Sequence, residues 1–352
     1  MIKNISSNQQ FILSILLEKG SLSSSSVHFE LIARGTDVSL VTVKRELAEM
    51  KASNLLESTG AGRSVEYLIT SLGRLVANID AKKYCSIEPD KRHSQTKYNF
   101  DLFEAVKIDL FTKEENQLMD SFTKKYLERT RNLPEAIKEK ELERFIIELS
   151  WKSSKIEGNT YTLLDTEKLI LEGKEAVGHD KKEKVMILNH KEAFKFILEN
   201  INRFKEFTRV NIEEIHKILI KDLNVNKGLR AKPVGVTGST YKPLDNIHQI
   251  AEAVDSLAKA IARISNPYLK ALLAIVGISY IQPFEDGNKR TARLIGNAIL
   301  LAHNCAPLSY RNTDEDGYRE AVLVFYELNS LVPFKKIFID QYVFSAENYL
   351  VK

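Results

Sequence analysis

The sequence predicts a mainly α-helical protein preceded by a small α+β module. Three observations lead there. From about residue 99 onward, apolar residues recur at three- and four-residue spacing with little interruption, which is the period of helices. Residues 1–75 carry three shorter helical patterns, followed by two short β-branched runs joined through Thr59-Gly60-Ala61-Gly62-Arg63. Residues 76–98 lie between the two and are polar around 88–95 with no apolar period, so they read as a linker. The expected domains are therefore 1–75 and 99–352.

In the N-terminal module the first helix covers about residues 8–19, with Phe11, Ile12, Ile15 and Leu16 inward and Gly20 as its stop. Ser23 to Ser26 offers caps for a second helix carrying Val27, Leu31 and Ile32, which ends near Gly35. Ser39 caps a third, in which Val43, Leu47 and Met50 point inward. Thr42, Lys44, Arg45 and Lys51 then lie outward or at its edge. Residues 55–58 and 65–69 are short strands, and the glycine-bearing segment between them ends in Arg63. This order resembles winged helix-turn-helix regulators, in which the third helix enters the major groove. That resemblance makes Thr42, Lys44, Arg45, Lys51 and Arg63 the candidate contacts to duplex DNA. The segment holds eight Lys and Arg against seven Asp and Glu, a net of +1. Phosphate neutralisation by one copy is then weak, and affinity needs a homodimer on two half-sites. The other use of such a module is protein contact or dimerisation.

In the helical body, a helix over 139–158 places Leu142, Phe145, Ile146 and Leu149 on one stripe. It closes in Ser153-Ser154-Lys155-Ile156-Glu157-Gly158. Gly228-Leu229-Arg230 leads to residues 234–243, where two glycines among Val234, Val236 and Tyr241 suggest a small β-hairpin. An apolar helix then runs from Tyr268, and another begins near residue 288 with Leu294, Ile295, Ala298, Ile299 and Ala302 at helical spacing. Between them stands Gln282-Pro283-Phe284-Glu285-Asp286-Gly287-Asn288-Lys289-Arg290-Thr291-Ala292-Arg293. Asp286-Gly287-Asn288 is turn chemistry, and a glycine turn opening a helix aims backbone N–H groups at one point, where anions bind. Lys289, Arg290 and Arg293 add cations, and Asp286 supplies the hard oxygen that Mg²⁺ takes beside a phosphate. Together these parts describe a nucleotide-phosphate site.

The run from Pro283 to Arg293 resembles the signature of the Fic (Fic/Doc) family, His-Pro-Phe-x-Asp-Gly-Asn-Gly/Lys-Arg-x-x-Arg. That family transfers AMP, or less often another phosphate-containing group, from a nucleotide to a protein hydroxyl. The resemblance implies a mainly α Fic-like domain with a small β-hairpin flap. It implies ATP as nucleotide, Mg²⁺ on Asp286, a phosphate nest at Gly287, Asn288, Lys289 and Arg290, and Arg293 on the distal phosphate. Phe284 and Asn288 would complete the catalytic loop. Gln282 stands where the family has its histidine. A glutamine amide can orient a hydroxyl but has no proton affinity near neutral pH, and loss of a general base typically costs ~10²–10⁴ in rate. Lys289 is lysine, as in the Doc-like phosphorylating branch, although Gly287 is not the alanine of that branch. The 153–158 segment resembles the family's inhibitory motif, with Ser153, Glu157 and Gly158 matching and Glu157 expected on Arg293. An ordinary charged helix end closed by Gly158 is the alternative. Val234, Val236 and Tyr241 fall in the region that resembles the flap, which clamps an extended segment of a target protein.

The chain has 352 residues, 43% of them hydrophobic, enough for two or three domains. With 51 Lys and Arg against 47 Asp and Glu, the net charge of +4 does not by itself point to nucleic acid. Cys85 and Cys305 support neither a disulfide framework nor a zinc site. The apolar run 271–281 is too short to cross a bilayer, and residues 11–17 end in Glu-Lys-Gly with no cleavage site. A cytoplasmic protein that avoids the membrane is expected. The expected function is protein adenylylation, restrained by Glu157 and slowed by Gln282. A catalytically silent, ATP-binding DNA regulator and a Doc-like phosphate transfer are the alternatives.

Overall fold

The computed structural model describes residues 5–131 and 133–351, and the side chain of Arg63 lies outside the described residues. The fold is mainly helical, with one three-stranded sheet among the described residues. The chain divides into two compact units. One comprises Met1–Thr112, Gly235–Lys242 and Glu320–Lys336; the other comprises Lys113–Val234, Pro243–Arg319 and Ile337–Lys352.

The first unit opens with α1 (Ser7–Lys19), set by a reciprocal cap in which Gln9 N–H donates to Ser6 Oγ and Ser6 N–H to Gln9 Oε1. β1 (Leu22–Ser23), α2 (Ser24–Ala33) and α3 (Leu40–Ala52) follow, the two helices capped by Ser23 and Ser39 as their sequence suggests. β2 (Leu56–Thr59) and β3 (Glu66–Ile69) pair antiparallel with Leu56 opposite Ile69, and β1 adds to the far side of β3. β1 has two residues, too few for a periodic signal. Ile12, Ile15, Leu16, Val27, Leu31, Val43, Leu47 and Met50 are buried, but Phe11 and Ile32 are not. The buried face of α1 runs through Ile12, Leu13, Ile15, Leu16 and Leu17. Phe11 lies about 140° round the helix from its centre at 3.6 residues per turn.

Residues 76–98 are built into this unit. α4 (Ser71–Val76) leads into them, α5 (Ala81–Cys85) lies within them and Asp80 caps α5. Arg92 is buried, pairing with Glu327 at 3.0 Å and donating to Gly238 O at 2.7 Å. Polar residues fixed by polar partners leave no apolar period, which is why the segment reads as a linker. The hairpin expected at 234–243 does not form. The stretch has a turn with Ser239 N–H donating to Val236 O, but no strand, because Lys242 N–H donates to Thr96 O and the Gly238 carbonyl goes to Arg92. Tyr241 is buried against Tyr326, with ring centroids 5.7 Å apart, and Val234 and Val236 are half-buried.

The regular elements described in the second unit are all helices: α6 (Lys113–Thr130), α7 (Glu135–Ile156), α8 (Leu163–Glu172), α9 (Lys181–Glu199), α10 (Arg209–Leu219), α11 (Ile247–Ala262), α12 (Pro267–Ile281) and α13 (Asn288–Ala302). α14 (Glu315–Leu328) and α15 (Val332–Asn348) each begin in one unit and end in the other. α7 starts a turn earlier than its apolar stripe suggests, at Glu135 after the N-cap Pro134, and Glu157 is its C-cap. α12 is buried on all sides, as an evenly apolar helix must be. α13 packs along it, with Gly296 so close that a Cβ there would lie 2.5 Å from Ile275 Cγ1. These two helices bracket the loop 282–287. No helix among the described residues is long and apolar enough to cross a membrane.

Candidate active site

The loop from Gln282 to Gly287 is shaped at both ends by left-handed backbone: Gln282, the C-cap of α12, has φ 52°, and Gly287, the N-cap of α13, has φ 79°. Only glycine adopts the second without strain. Asn288 closes the loop. Its Oδ1 accepts from Phe284 N–H at 2.9 Å, while its Nδ2 donates to Phe284 O at 2.8 Å and to Gln282 Oε1 at 3.0 Å. Arg230, 2% exposed, holds the outer side, with Nε donating to Gln282 O at 2.6 Å and its N–H to Pro283 O at 2.9 Å. His216 supports the inner side. Its ring stacks on Phe284 at 3.7 Å and its Nε2 donates to Asp286 O at 2.9 Å. The N-cap, Gly287, has no side chain to bond the N–H groups of the first turn of α13.

Beyond this turn lie the cations. Arg293 is fully buried and its donors are matched: Nε to Ser153 Oγ at 2.9 Å, Nη2 to Ser153 O at 2.7 Å, Nη1 to Glu157 Oε1 at 2.9 Å. Tyr310 and Tyr318 wall the guanidinium, 6.0 and 5.6 Å from its carbon. Lys289 Nζ lies 3.5 Å from Glu157 Oε2. Burial opposes ionisation of Glu157, but Arg293 and then Lys289 outweigh it and hold the carboxyl below its ordinary range. Arg290 is 2% exposed and reaches Asp286 Oδ2 at 3.3 Å, while its Nη1 is buried without a partner.

This arrangement can bind an anion at the head of α13. It offers no proton acceptor at residue 282. The Gln282 amide donates to Ser279 O at 2.7 Å and accepts from Asn288, so it is engaged at both ends. His216 does not replace it: burial pushes its imidazole down to about 4, and its one bonded nitrogen holds the loop. Asp286 is exposed and carries one hard carboxylate, and no group of three or more His, Cys, Asp or Glu that could hold a metal occurs among the described residues. That donor set fits Mg²⁺ only as an ion shared with phosphate oxygens and water, the way Mg²⁺ is commonly held.

The structure thus brings together Gln282, Phe284, Asp286, Gly287, Asn288, Lys289, Arg290 and Arg293 with Ser153 and Glu157. Gly158 follows with φ 96° and turns the chain away from α7. Arg230, Tyr310 and Tyr318 were not assigned a role from the sequence, since a lone Arg or Tyr has no local signature. On α3, Lys44 and Arg45 are exposed, the latter 3.8 Å from Glu49. Thr42 is engaged with Ser39, and Lys51 donates to Ser58 Oγ at 2.6 Å. The side chain of Arg63 lies outside the described residues.

Residues 206–300 match the Fic/DOC family model. This part of the chain is a Fic/DOC family domain. Among curated relatives, a protein adenylyltransferase Fic of Nematostella vectensis is 33% identical over 179 residues, 48% of this chain and 41% of the relative. Another of Aedes aegypti is 29% identical over 210 residues, covering 58% and 42%. The matches therefore span about two-fifths of those relatives. Among solved structures, Fic-1 (residues 134–508) of C. elegans superposes with TM-score 0.58 at 19% identity, covering 67% of this chain and 72% of that one. A Fic domain containing signaling protein of Bacteroides thetaiotaomicron gives 0.57 at 20%, covering 65% and 94%. At those identities the likeness is one of fold.

Burial of His216, which favours the neutral ring, should make this domain acid-sensitive. Its folded value near 4 lies below the ordinary 6.5, so the unfolded chain binds the extra proton. The stability it contributes is complete above pH 6.5 and is lost as pH falls toward 4. His216→Gln, which keeps a donor but does not titrate, should shrink the stability difference between pH 7.5 and pH 5 by about 2 kcal/mol in urea unfolding. An unchanged difference would mean that the ring is not held neutral.

Proposed function

We propose that this chain is a Fic-type protein adenylyltransferase by design, with a working nucleotide site, restrained by Glu157 and slowed by Gln282. The observation that carries the reading is the pairing of buried Arg293 with Glu157, 2.9 Å apart, at the head of α13. A buried guanidinium needs an anion, and the distal phosphate of ATP is the alternative to the carboxylate. The names of the curated relatives support AMP as the transferred group. In such a transfer a protein hydroxyl attacks the α-phosphorus, the bond to the leaving pyrophosphate breaks, and the hydroxyl proton must go to a base. Asp286 would hold Mg²⁺, which neutralises phosphate charge when bound. Gly287, Asn288, Lys289 and Arg290 would cradle the phosphates. Gln282 can accept a hydrogen bond from the hydroxyl but not its proton.

A second reading is favoured by the engagement of the Gln282 amide at both ends and by the exposure of Lys44 and Arg45 on α3. In it, residues 1–75 form a winged helix that reads DNA as a dimer, and ATP sets its state without transfer.

Calorimetry with ATP and ADP tests the restraint. Glu157→Gly should tighten ATP by roughly ten- to hundredfold, as expected for freeing a charged hydrogen-bond partner, and leave ADP nearly unchanged. Equal gains for both nucleotides would remove Glu157 from that role.

Incubation with α- and γ-labelled ATP tests the chemistry. Gln282→His in the Glu157→Gly background should raise α-label on protein by ~10²–10⁴. Label from the γ-position would indicate phosphate transfer, and no label from either would leave a binding protein.

Selection on genomic duplex fragments tests the second reading. The full chain should enrich a two-half-site sequence whose binding falls steeply with salt, and Arg45→Ala should flatten base preference by ~1–3 kcal/mol. No enrichment at low salt would leave the module as an assembly element.

A further inference from the structure

The end of α7 is held from outside by the first turns of α14. A helix leaves its last carbonyls without intrahelical donors, and here they are shared between the following turn and two arginines. Ser154 O accepts from Glu157 N–H at 3.0 Å and Lys155 O from Gly158 N–H at 2.9 Å. Ser153 O goes to Arg293. Ile156 O, the carbonyl immediately before Glu157, goes to Arg319, whose Nη2 and Nε donate to it at 3.0 and 3.3 Å. Asp316 Oδ1 accepts from Arg319 Nη1 at 3.4 Å and orients the guanidinium from one turn back. One turn before Ile156, buried Lys152 pairs with Glu315, and Lys155 lies 3.8 Å from the same carboxylate.

Glu315, Tyr318 and Arg319 are three and four residues apart, on one face of α14. Tyr318 on that face walls the Arg293 guanidinium. One helix face therefore grips both the cation and the helix end that carries its carboxylate. Fixing the carbonyl of Ile156 fixes the peptide that leads into Glu157, and with it the point from which that side chain reaches. We propose that Arg319 is a positioning residue for the restraint, and that with Asp316 and the Lys152–Glu315 pair it forms a latch keeping Glu157 on Arg293. The inference rests on the restraint proposed for Glu157 and adds where that restraint is set. The latch differs from the contact it supports. Arg293 is buried, whereas Arg319 is 47% exposed and Lys155 43%. Exposed cations at a helix C-terminus are weakened by salt and open to competing anions. The restraint can thus be loosened from outside the nucleotide site.

The test uses the full chain, with calorimetry on ATP and ADP and amide exchange without nucleotide. Arg319→Ala should tighten ATP roughly three- to tenfold, less than Glu157→Gly because the carboxylate is still present, and leave ADP nearly unchanged. In the Glu157→Gly background the same substitution should add nothing, since no carboxylate is left to position. Arg319→Lys keeps the charge but gives one donor point in place of a fork, so its ATP affinity should fall between, and it serves if the alanine variant does not fold. Without nucleotide, the Glu157 and Gly158 amides should exchange roughly tenfold faster in Arg319→Ala. An unchanged ATP affinity in both Arg319 variants, beside a gain in Glu157→Gly, would overturn the latch and leave the restraint standing. Equal gains for ATP and ADP, or an additive gain in the double variant, would reduce Arg319 to general support of the fold. No ATP gain in Glu157→Gly itself would remove the restraint and the latch with it. Unaltered exchange would overturn the latch alone.

Discussion

The Arg293 guanidinium is wholly removed from water, and the second unit is arranged around satisfying it. A desolvated cation is tolerated only with close acceptors, and three come from the last turn of α7: the Ser153 hydroxyl, the Ser153 carbonyl and the Glu157 carboxylate. That demand fixes where α7 ends relative to the first turns of α13. It also explains why Ser153, itself fully buried, is serine and not an apolar residue in the middle of a buried stripe. Two of the three acceptors are permanent features of the backbone and its neighbour. The third, Glu157, keeps about a fifth of its side chain in solvent and is the partner that can leave.

The loop before α13 is held by a different set of contacts. Asn288, Arg230 and His216 bind main-chain carbonyls and the N–H of Phe284, and of their bonds to the loop only that from Asn288 Nδ2 to Gln282 Oε1 involves the side chain at 282. The left-handed backbone at Gln282 is likewise set by the end of α12. Loop geometry and proton chemistry are therefore separable in this protein. A change at 282 can remove the second and leave the first, which is why the proposed nucleotide site and the proposed transfer have to be judged apart.

The helices flanking the loop were legible because α12 and α13 are long, apolar and interrupted by an Asp-Gly-Asn turn whose backbone demands are local. The caps at Ser23 and Ser39 were legible for the same reason. What escaped reading is non-local. Arg92 and Glu327 are far apart in sequence, so a buried pair in the N-terminal unit looked like two charges in polar surroundings, and its segment like a linker. Arg230 stands in a glycine-bearing stretch with no period. Around residues 234–243 the β-branched and glycine pattern suggested a ladder, yet the backbone groups there bind Thr96 and Arg92. Composition describes what a segment can pair with and is silent on which partner arrives.

Glu157 is held at both oxygens, Oε1 by Arg293 and Oε2 by Lys289. The two holds differ in kind. Arg293 is buried and bonds at 2.9 Å, where low polarity strengthens the attraction. Lys289 is about a third exposed and 3.5 Å away, where water and salt weaken it. Release of the carboxylate is therefore governed mainly by what else can satisfy Arg293. A group that neutralised only Lys289 would free one oxygen and leave the carboxylate in place. A polyphosphate lying along the head of α13 meets both cations at once, so it competes for the whole carboxylate where a single small anion competes for half. If the proposed nucleotide reading holds, the lysine at 289 raises the threshold that a nucleotide must cross and makes the length of its phosphate chain the deciding property.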